Sequence, residues 1–483
     1  MNLRLVLRVI AFIIIIVCIL MLIPAGIALR SSEKKCLLIF FITTAIGVGF
    51  SFLSILFTTK CQRDIVTSRE GFLIVCIAWA AAAGLGALPF YLSGSVLTYA
   101  DAFFETMSGF TTTGASILKE IESLPRSLLF WRSLTHWLGG MGIVLLTIVF
   151  LPILGVKGLH FIRIEAPGPT VEKIVPRIAE TTLVLWLIYL GLTLAETLLL
   201  MLGRMNLFDA LTHTFGTLAT GGFSPKNRSV GHYSSKYVHI IITIFMMLAG
   251  TNFNLYYRLL SGRFREIKKN TELRAYLGIF FISSILIALV LNGSVYESFG
   301  KSLRYGSFQV ASIFTTTGFS TADFDAWPAM AKGILFALMF IGGSSGSTGG
   351  GIKVIRIVTL FKIGINEMRY ILHPRGVYTV KINDMPVRKD IAYTIAGFVF
   401  LYISFLIITT LVVTSGGYDL VTSFSTALVT VGNIGPGFGK IGPTLNYSFY
   451  PDYIKWFLSF AMMVGRLEVY TVFIIFTPWF WKR

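Results

Sequence analysis

The chain has 483 residues, 55% of them hydrophobic, and a mean hydropathy of +0.76. So many near-uninterrupted apolar runs of spanning length exclude a soluble enzyme and read as an all-α polytopic membrane protein. The net charge of +18 sits in particular loops, which is a topology signal and not a nucleic-acid-binding one.

Two apolar runs open the chain, Val9–Leu29 and Cys36–Thr58. The first is longer than the ~7–15 apolar residues of a signal peptide, and a second spanning run follows, so it is read as a retained helix. Four cysteines (Cys18, Cys36, Cys61, Cys76) lie in or beside the first three apolar segments without a CxxC or a Cys/His cluster. They imply neither a metal nor a disulfide framework.

Four units follow, each an apolar helix, a short polar-apolar helix, a Thr/Gly segment and a second apolar helix. In the first, Gly71–Leu92 leads to the run 101–114 and then to Ser127–Leu154. In the second, Thr181–Leu202 leads to 209–222 and Tyr237–Tyr256. In the third, Tyr276–Leu291 leads to 305–318 and a helix running from Ala329 to Ile341. In the fourth, Ile391–Thr414 leads to 419–432 and Tyr453–Phe480. The implied division is 1–65 for two leading helices, then pore repeats at 66–160, 175–262, 272–370 and 388–483. About ten spanning helices and four re-entrant segments result.

The short runs are in register. Thirteen residues separate Asp101 from Gly114, Asp209 from Gly222, Tyr305 from Gly318 and Asp419 from Gly432. One Thr-Gly pair is as readily an ordinary turn, but four at one offset are a repeat. A single-file cation pathway needs rings of carbonyl and hydroxyl oxygens to replace water around the ion, with glycine turning the carbonyls inward. The expected ligands are Thr111, Thr112, Thr113 and Gly114; Ala219, Thr220, Gly221 and Gly222; Thr315, Thr316, Thr317 and Gly318; Val429, Thr430, Val431 and Gly432. The short helices would aim their negative C-terminal ends at the ion, with Asp101, Asp209 and Asp419 as N-caps and Ser302 as the cap in the third copy.

The third unit departs from the pattern at Gly342, Gly343, Ser344, Ser345, Gly346, Ser347, Thr348, Gly349, Gly350 and Gly351. Only about thirteen apolar residues precede this run, fewer than the roughly 20 needed to span, so it falls inside the membrane as a flexible intramembrane loop. Arg466 lies near the middle of the last apolar run, where a charge must face the pathway or a partner. Glu468, two residues away, is on another helix face. Loop 342–351 and Arg466 are the gate candidates. His136 and His213 are read as helix-bridging, Arg132 as snorkelling at the outer interface, and Asn252 and Asn254 as vestibule-lining or helix-bridging. Gly140, Gly250, Gly343 and Gly465 recur where the last helices converge and permit close packing.

Loops 60–70, 155–180, 258–274 and 353–389 hold most of the Lys and Arg, which puts them and both termini in the cytoplasm; the loop at 30–35 goes against the rule. The basic stretch 353–389 suits an interfacial helix on anionic lipid or a docking surface.

The series TTTG, TGGF, TTTGF and TVGN, with two leading helices, resembles the membrane subunit of bacterial potassium-uptake systems, the Trk/Ktr/HKT superfamily, in its TrkH branch. The resemblance covers essentially the whole chain. It implies four pseudo-symmetric M1–P–M2 repeats around one pathway in the bacterial cytoplasmic (inner) membrane. It also implies a homodimer and a cytoplasmic TrkA-like regulatory subunit that carries the nucleotide (ATP/ADP or NAD), and it treats loop 342–351 as a gate. No cofactor other than the transported K⁺ is expected in this chain. Glycine at all four filter positions favours potassium over sodium. The expected function is channel-like potassium uptake. The alternative is a potassium or sodium symporter coupled to protons or sodium. No nucleophile–base pair, metal cluster or phosphate loop points to an enzyme.

Overall fold

The computed structural model describes residues 1–58, 66–142, 178–383 and 385–482. Basic loop 155–180 lies almost wholly outside them, as do Cys61, most of loop 60–70 and the first unit's last helix beyond residue 142. The chain is an all-α polytopic membrane protein. A two-residue antiparallel pair, β1 (Lys381–Ile382) with β2 (Met385–Pro386), is the exception among the described residues.

Helices α1 (Leu3–Arg30) and α2 (Lys34–Thr58) form a hairpin packed on α3 (Ser68–Ser93). A capping box starts α3: the Thr67 side chain accepts from Glu70 N while the Glu70 carboxylate accepts from Thr67 N. The hairpin turn has a second use. Glu33 accepts from Arg126 N, Ser127 N and Ser127 Oγ, and so caps α5 (Arg126–Gly140), which brings no cap of its own.

The four short helices are α4 (Tyr99–Phe110), α7 (Leu207–Leu218), α11 (Phe299–Phe314) and α15 (Leu420–Val431). Their C-terminal halves are buried, α4 nearly all round, and their hydroxyls bond back to the preceding turn, as Thr106 Oγ1 does to Ala102 O at 2.8 Å. Their outer scaffold is α6 (Ile178–Leu202), α10 (Thr271–Leu291) and α14 (Lys389–Thr414). Among the described residues six helices are long and apolar enough to span, or up to eight if each of two bent pairs is one span.

Those bends correct the expectation of continuous last helices. The second unit's breaks between α8 (Lys236–Ala249) and α9 (Phe253–Leu260) with a 94° bend. The fourth unit's breaks between α16 (Asp452–Leu467) and α17 (Val469–Phe473) with a 116° bend, Glu468 taking φ +64°. In the third, α12 (Ala329–Leu338) stops three residues short of Ile341, and α13 (Val354–Leu372) resumes beyond the Gly/Ser run.

The units close into a ring: α7 packs on α5, α11 on α8, and α4 on α16. Lys455 Nζ meets Asp101 Oδ1 at 2.5 Å and the Phe103 and Trp456 rings lie 4.6 Å apart, which joins the fourth unit to the first.

Candidate functional site: a four-unit glycine ring over a plugged vestibule

Each short helix ends in the same backbone turn. Thr112, Thr220, Thr316 and Asn433 take φ of 53, 53, 59 and 54°, and two residues later Gly114, Gly222, Gly318 and Gly435 take 78, 76, 81 and 96°. The fourth segment is therefore Gly432-Asn433-Ile434-Gly435. This corrects the expected Val429, Thr430, Val431 and Gly432: the first three are still helical, and Gly432 is the residue that closes the helix. The slip is three residues and has a clear cause. Asp419 is an N-cap, accepting from Thr422 N, whereas Asp101 and Asp209 stand three residues inside helices capped by Thr98 and Asn206. Measured from the caps, sixteen residues lead to Gly114, Gly222 and Gly435 alike. Ser302, sixteen before Gly318, is inside a helix that starts at Phe299, so it caps nothing.

The four glycines interlock. A Cβ on Gly114 would run into the carbonyl of Gly221, one on Gly222 into Thr317, one on Gly318 into Ile434, and one on Gly435 into Thr113. Each glycine thus lies against the backbone oxygen of the next unit, and the fourth closes on the first. Glycine alone combines this approach with positive φ at no steric cost. All four glycines line a cavity of about 130 Å³.

The ring is held from behind by a polar residue nine positions before each glycine: Glu105, His213, Gln309 and Thr426, all buried. Glu105 accepts from Ser116 Oγ (3.0 Å) and Ile117 N (2.9 Å). His213 Nε2 meets Ser224 Oγ at 3.0 Å, the Gln309 amide reaches Thr321 Oγ1 at 3.4 Å, and Thr426 Oγ1 meets Tyr450 OH at 2.7 Å. Arg132 does not snorkel. It is 3% exposed, with Nε on Glu105 at 2.6 Å, Nη1 donating to Ser224 O, and its guanidinium 3.5 Å from the Phe223 ring centroid. Burial without these partners would be prohibitive. His136 bonds Gly109 O through Nδ1 and stacks on Phe223.

Beneath the ring, the Gly/Ser loop is tied down rather than loose. Ser344 N donates to Gly250 O, Phe253 N to Gly346 O, Ser345 N to Glu272 Oε1 and Gly350 N to Thr316 Oγ1, all within 2.7–3.0 Å. Asn252 caps α9 at the same break. Arg466 donates to Thr348 O (2.6 Å), Gly139 O (2.5 Å) and Gly140 O (2.7 Å). The buried Lys353 ammonium donates to the carbonyls of Gly349 and Gly350. Glu468 pairs with Arg356 at 2.6 Å. A cavity of about 110 Å³ lies among these groups, lined by Gly140, Gly349, Lys353 and Arg466. The four recurrent glycines are sites of close approach: a Cβ on Gly140 would strike Ala219, on Gly250 Tyr276 and Thr315, on Gly343 Ser347 and Gly250, on Gly465 the Val431 carbonyl.

Residues 37–482 match the model of a family described as TrkH, cation transport protein. The chain is 39% identical to the Trk system potassium uptake protein TrkH of Escherichia coli K12, over the full length of both. It belongs to the TrkH family. It is 38% identical to TrkH of Halomonas elongata, again over both full chains. Its fold superposes on the crystal structure of the potassium transporter TrkH from Vibrio parahaemolyticus with a TM-score of 0.88 and 34% identity, covering all of both.

In this TrkH-family chain three of the four expected segments coincide with the positive-φ glycines of the ring, and loop 342–351 and Arg466 lie together beneath it. Sequence reasoning did not place Asn433, Ile434 and Gly435 in the fourth segment, nor pair Glu105 with Arg132 or Lys353 with the loop carbonyls. The motif Gly-Asn-Ile-Gly-Pro held the signal for the fourth segment: its second glycine, followed by Pro436, sits sixteen residues after the cap.

Proposed function

We propose that this chain carries potassium ions across the bacterial cytoplasmic membrane, both termini facing the cytoplasm, by a gated, channel-like pathway. The carrying observation is the closed ring of four positive-φ glycines interlocked with the carbonyls of Thr113, Gly221, Thr317 and Ile434. Four helix C-termini converge on that ring, so their carbonyl ends favour a dehydrated cation there. The filter is Thr111–Gly114, Ala219–Gly222, Thr315–Gly318 and Gly432–Gly435. Loop 342–351, with Lys353 and Arg466 bonded to its carbonyls, is the obstruction, and two fixed positive charges below the ring raise the barrier to a cation. The relatives' printed names, potassium uptake proteins of a Trk system, support the same reading. Regulation by a separate nucleotide-binding subunit and assembly as a homodimer belong to it as well. The exposed part of α13 from Phe361 on, with Met368 and Ile371, is the surface offered to such a subunit.

One observation favours coupled symport as the second reading. Glu196 on α6 is fully buried, with Thr217 as the polar side chain facing its carboxyl group. An ionisable group at such depth is a default candidate for proton handling. Flux of K⁺, Rb⁺, Na⁺ and Li⁺ into liposomes at imposed voltage separates the two. K⁺ and Rb⁺ flux that follows the electrochemical gradient and ignores a proton gradient supports the channel. Flux that needs the proton gradient and is lost in Glu196→Gln supports the symporter.

A further inference from the structure

Three of the four short helices lie against the last helix of the preceding unit: α4 on α16, α7 on α5 and α11 on α8. By the same pseudo-symmetry α15 belongs on α12. Instead a groove of about 470 Å³ separates them, lined by Lys332, Gly333, Phe336, Leu420, Phe424 and Phe438. The two helices meet at the inner end, where the Phe336 and Phe340 rings stand 6.0 and 6.4 Å from Phe424. Toward the filter side the groove opens sideways: Leu420 and Val421 are 69% and 65% exposed, and a Cβ on Gly333 would meet nothing within 4 Å.

The walls belong to elements that lie in the bilayer, so hydrocarbon and not water is what stands at the opening. An empty slot would forfeit dispersion contacts along its whole lining. The mouth carries a cation. Lys332 Nζ donates to the Asp325 carbonyl at 3.0 Å and remains 37% exposed as a side chain. The Asp325 carboxylate lies 3.9 Å away and is also engaged, its Oδ2 accepting from Gly439 N at 3.1 Å. The ammonium therefore keeps donors free for a phosphate.

We propose that this groove holds one acyl chain of a glycerophospholipid from the filter-side leaflet, with the phosphate on Lys332. The chain replaces the helix contact that the other three units make for themselves. It stands against Phe438, three residues beyond Gly435, whose N–H is held by Ser425 Oγ at 2.8 Å. It also supports α12, the helix that leads into loop 342–351. The lipid thus touches both the residues after the fourth filter segment and the inner helix α12, which meets α15 only through the rings of Phe336, Phe340 and Phe424 among the described residues.

The test is native mass spectrometry of the purified full chain, delipidated and then given phosphatidylglycerol or phosphatidylethanolamine. Gly333→Leu fills the groove with a good helix former and meets no neighbour at its Cβ. The expected result is one phospholipid fewer per chain in Gly333→Leu than in wild type, with Gly333→Ala retaining it. Lys332→Gln should weaken phosphatidylglycerol retention about tenfold, as loss of a charge-assisted bond implies. Gly333→Cys, folded first and then modified with a bulky maleimide, gives the same readout should the leucine variant misfold. Equal lipid retention in wild type and both filled variants would overturn the proposal. So would cross-linking of Gly333→Cys between two chains in membranes, which would make a second copy the occupant.

Discussion

At the glycine ring the four units agree in backbone even where the side chain changes: Thr112, Thr220, Thr316 and Asn433 share φ within 53–59°. One level down they agree in almost nothing. Among the described residues the first unit's last helix ends at Gly140, and the others break at 250–252, over 339–353 and at Glu468. The difference follows from what each level has to satisfy. On the proposed reading, oxygens that ligate one ion stand at like distances from one axis, so each unit needs the same dihedrals. A helix broken in a membrane must merely re-satisfy its freed carbonyls, and any donor will serve. Here Arg466 covers Gly139 and Gly140, the loop's Ser344 covers Gly250, and Lys353 covers the loop itself.

The largest effect should come from breaking the filter's dihedral agreement. Gly435→Ala places a Cβ at positive φ and against the Thr113 carbonyl. The backbone term alone is about 1–2 kcal/mol, and the overlap adds to it. Selective potassium flux in liposomes should fall at least about tenfold, by the usual conversion of 1.4 kcal/mol to a factor of ten. Gly432→Ala also brings its Cβ close to a carbonyl, that of Leu428, but at φ −80° it escapes the left-handed penalty and should cost less flux than Gly435→Ala. The reverse order would restore the register read from sequence.

The brace behind the first segment acts on stability and not on the flux ratio. Glu105→Gln leaves the Arg132 guanidinium buried without its carboxylate, which costs about 3–5 kcal/mol. A marked drop in melting temperature of the purified protein is expected. His213→Gln, which keeps a neutral partner for Ser224, should cost less than half of that. Equal losses would mean that the four braces are equivalent after all.

Breaking the lower level should act in the opposite direction. Arg466→Ala removes three donors and one positive charge from below the ring. A unit charge near a cation's path is worth between ~1 and ~4 kcal/mol at 4 Å, depending on solvent access. Flux should rise about tenfold with the K⁺/Na⁺ ratio unchanged, measured side by side in the same liposomes. A changed ratio would place Arg466 in selectivity and erase the separation of levels.

Periodicity made the fold legible, because long apolar runs and a repeated helix-plus-Thr/Gly unit leave little choice in a bilayer. Ring segments one to three were legible because Asp101, Asp209 and Tyr305 all stand thirteen residues before the closing glycine. What stayed hidden depends on tertiary contact. Arg132 reads as interfacial until Glu105, 27 residues earlier, is seen beside it. Glu33 reads as part of a turn until it is found capping a helix 93 residues on. The breaks at Gly250 and Glu468 carry no run of glycines, and their bending is allowed by partners on other units.

The smallest effect concerns Asp419, the residue that misled the register. As an N-cap its carboxylate accepts from Thr422 N, and that hydrogen bond holds its pKa below the ordinary carboxylate value. A lowered folded-state pKa gives stability that is present at neutral pH and lost as the pH falls through the carboxylate range. Asp419→Ala should therefore cost about 1 kcal/mol, and acidification should narrow its gap from wild type. Asp209→Ala removes an acid from inside the first turn while Asn206 keeps the cap. Its cost is the dipole term and the Tyr233 hydrogen bond, and acid should not erase the Asn206 contribution. Measured by thermal melts at neutral and mildly acidic pH, matching pH responses in the two variants would put both aspartates in one helical position. The fourth filter segment would then move back to Val429–Gly432.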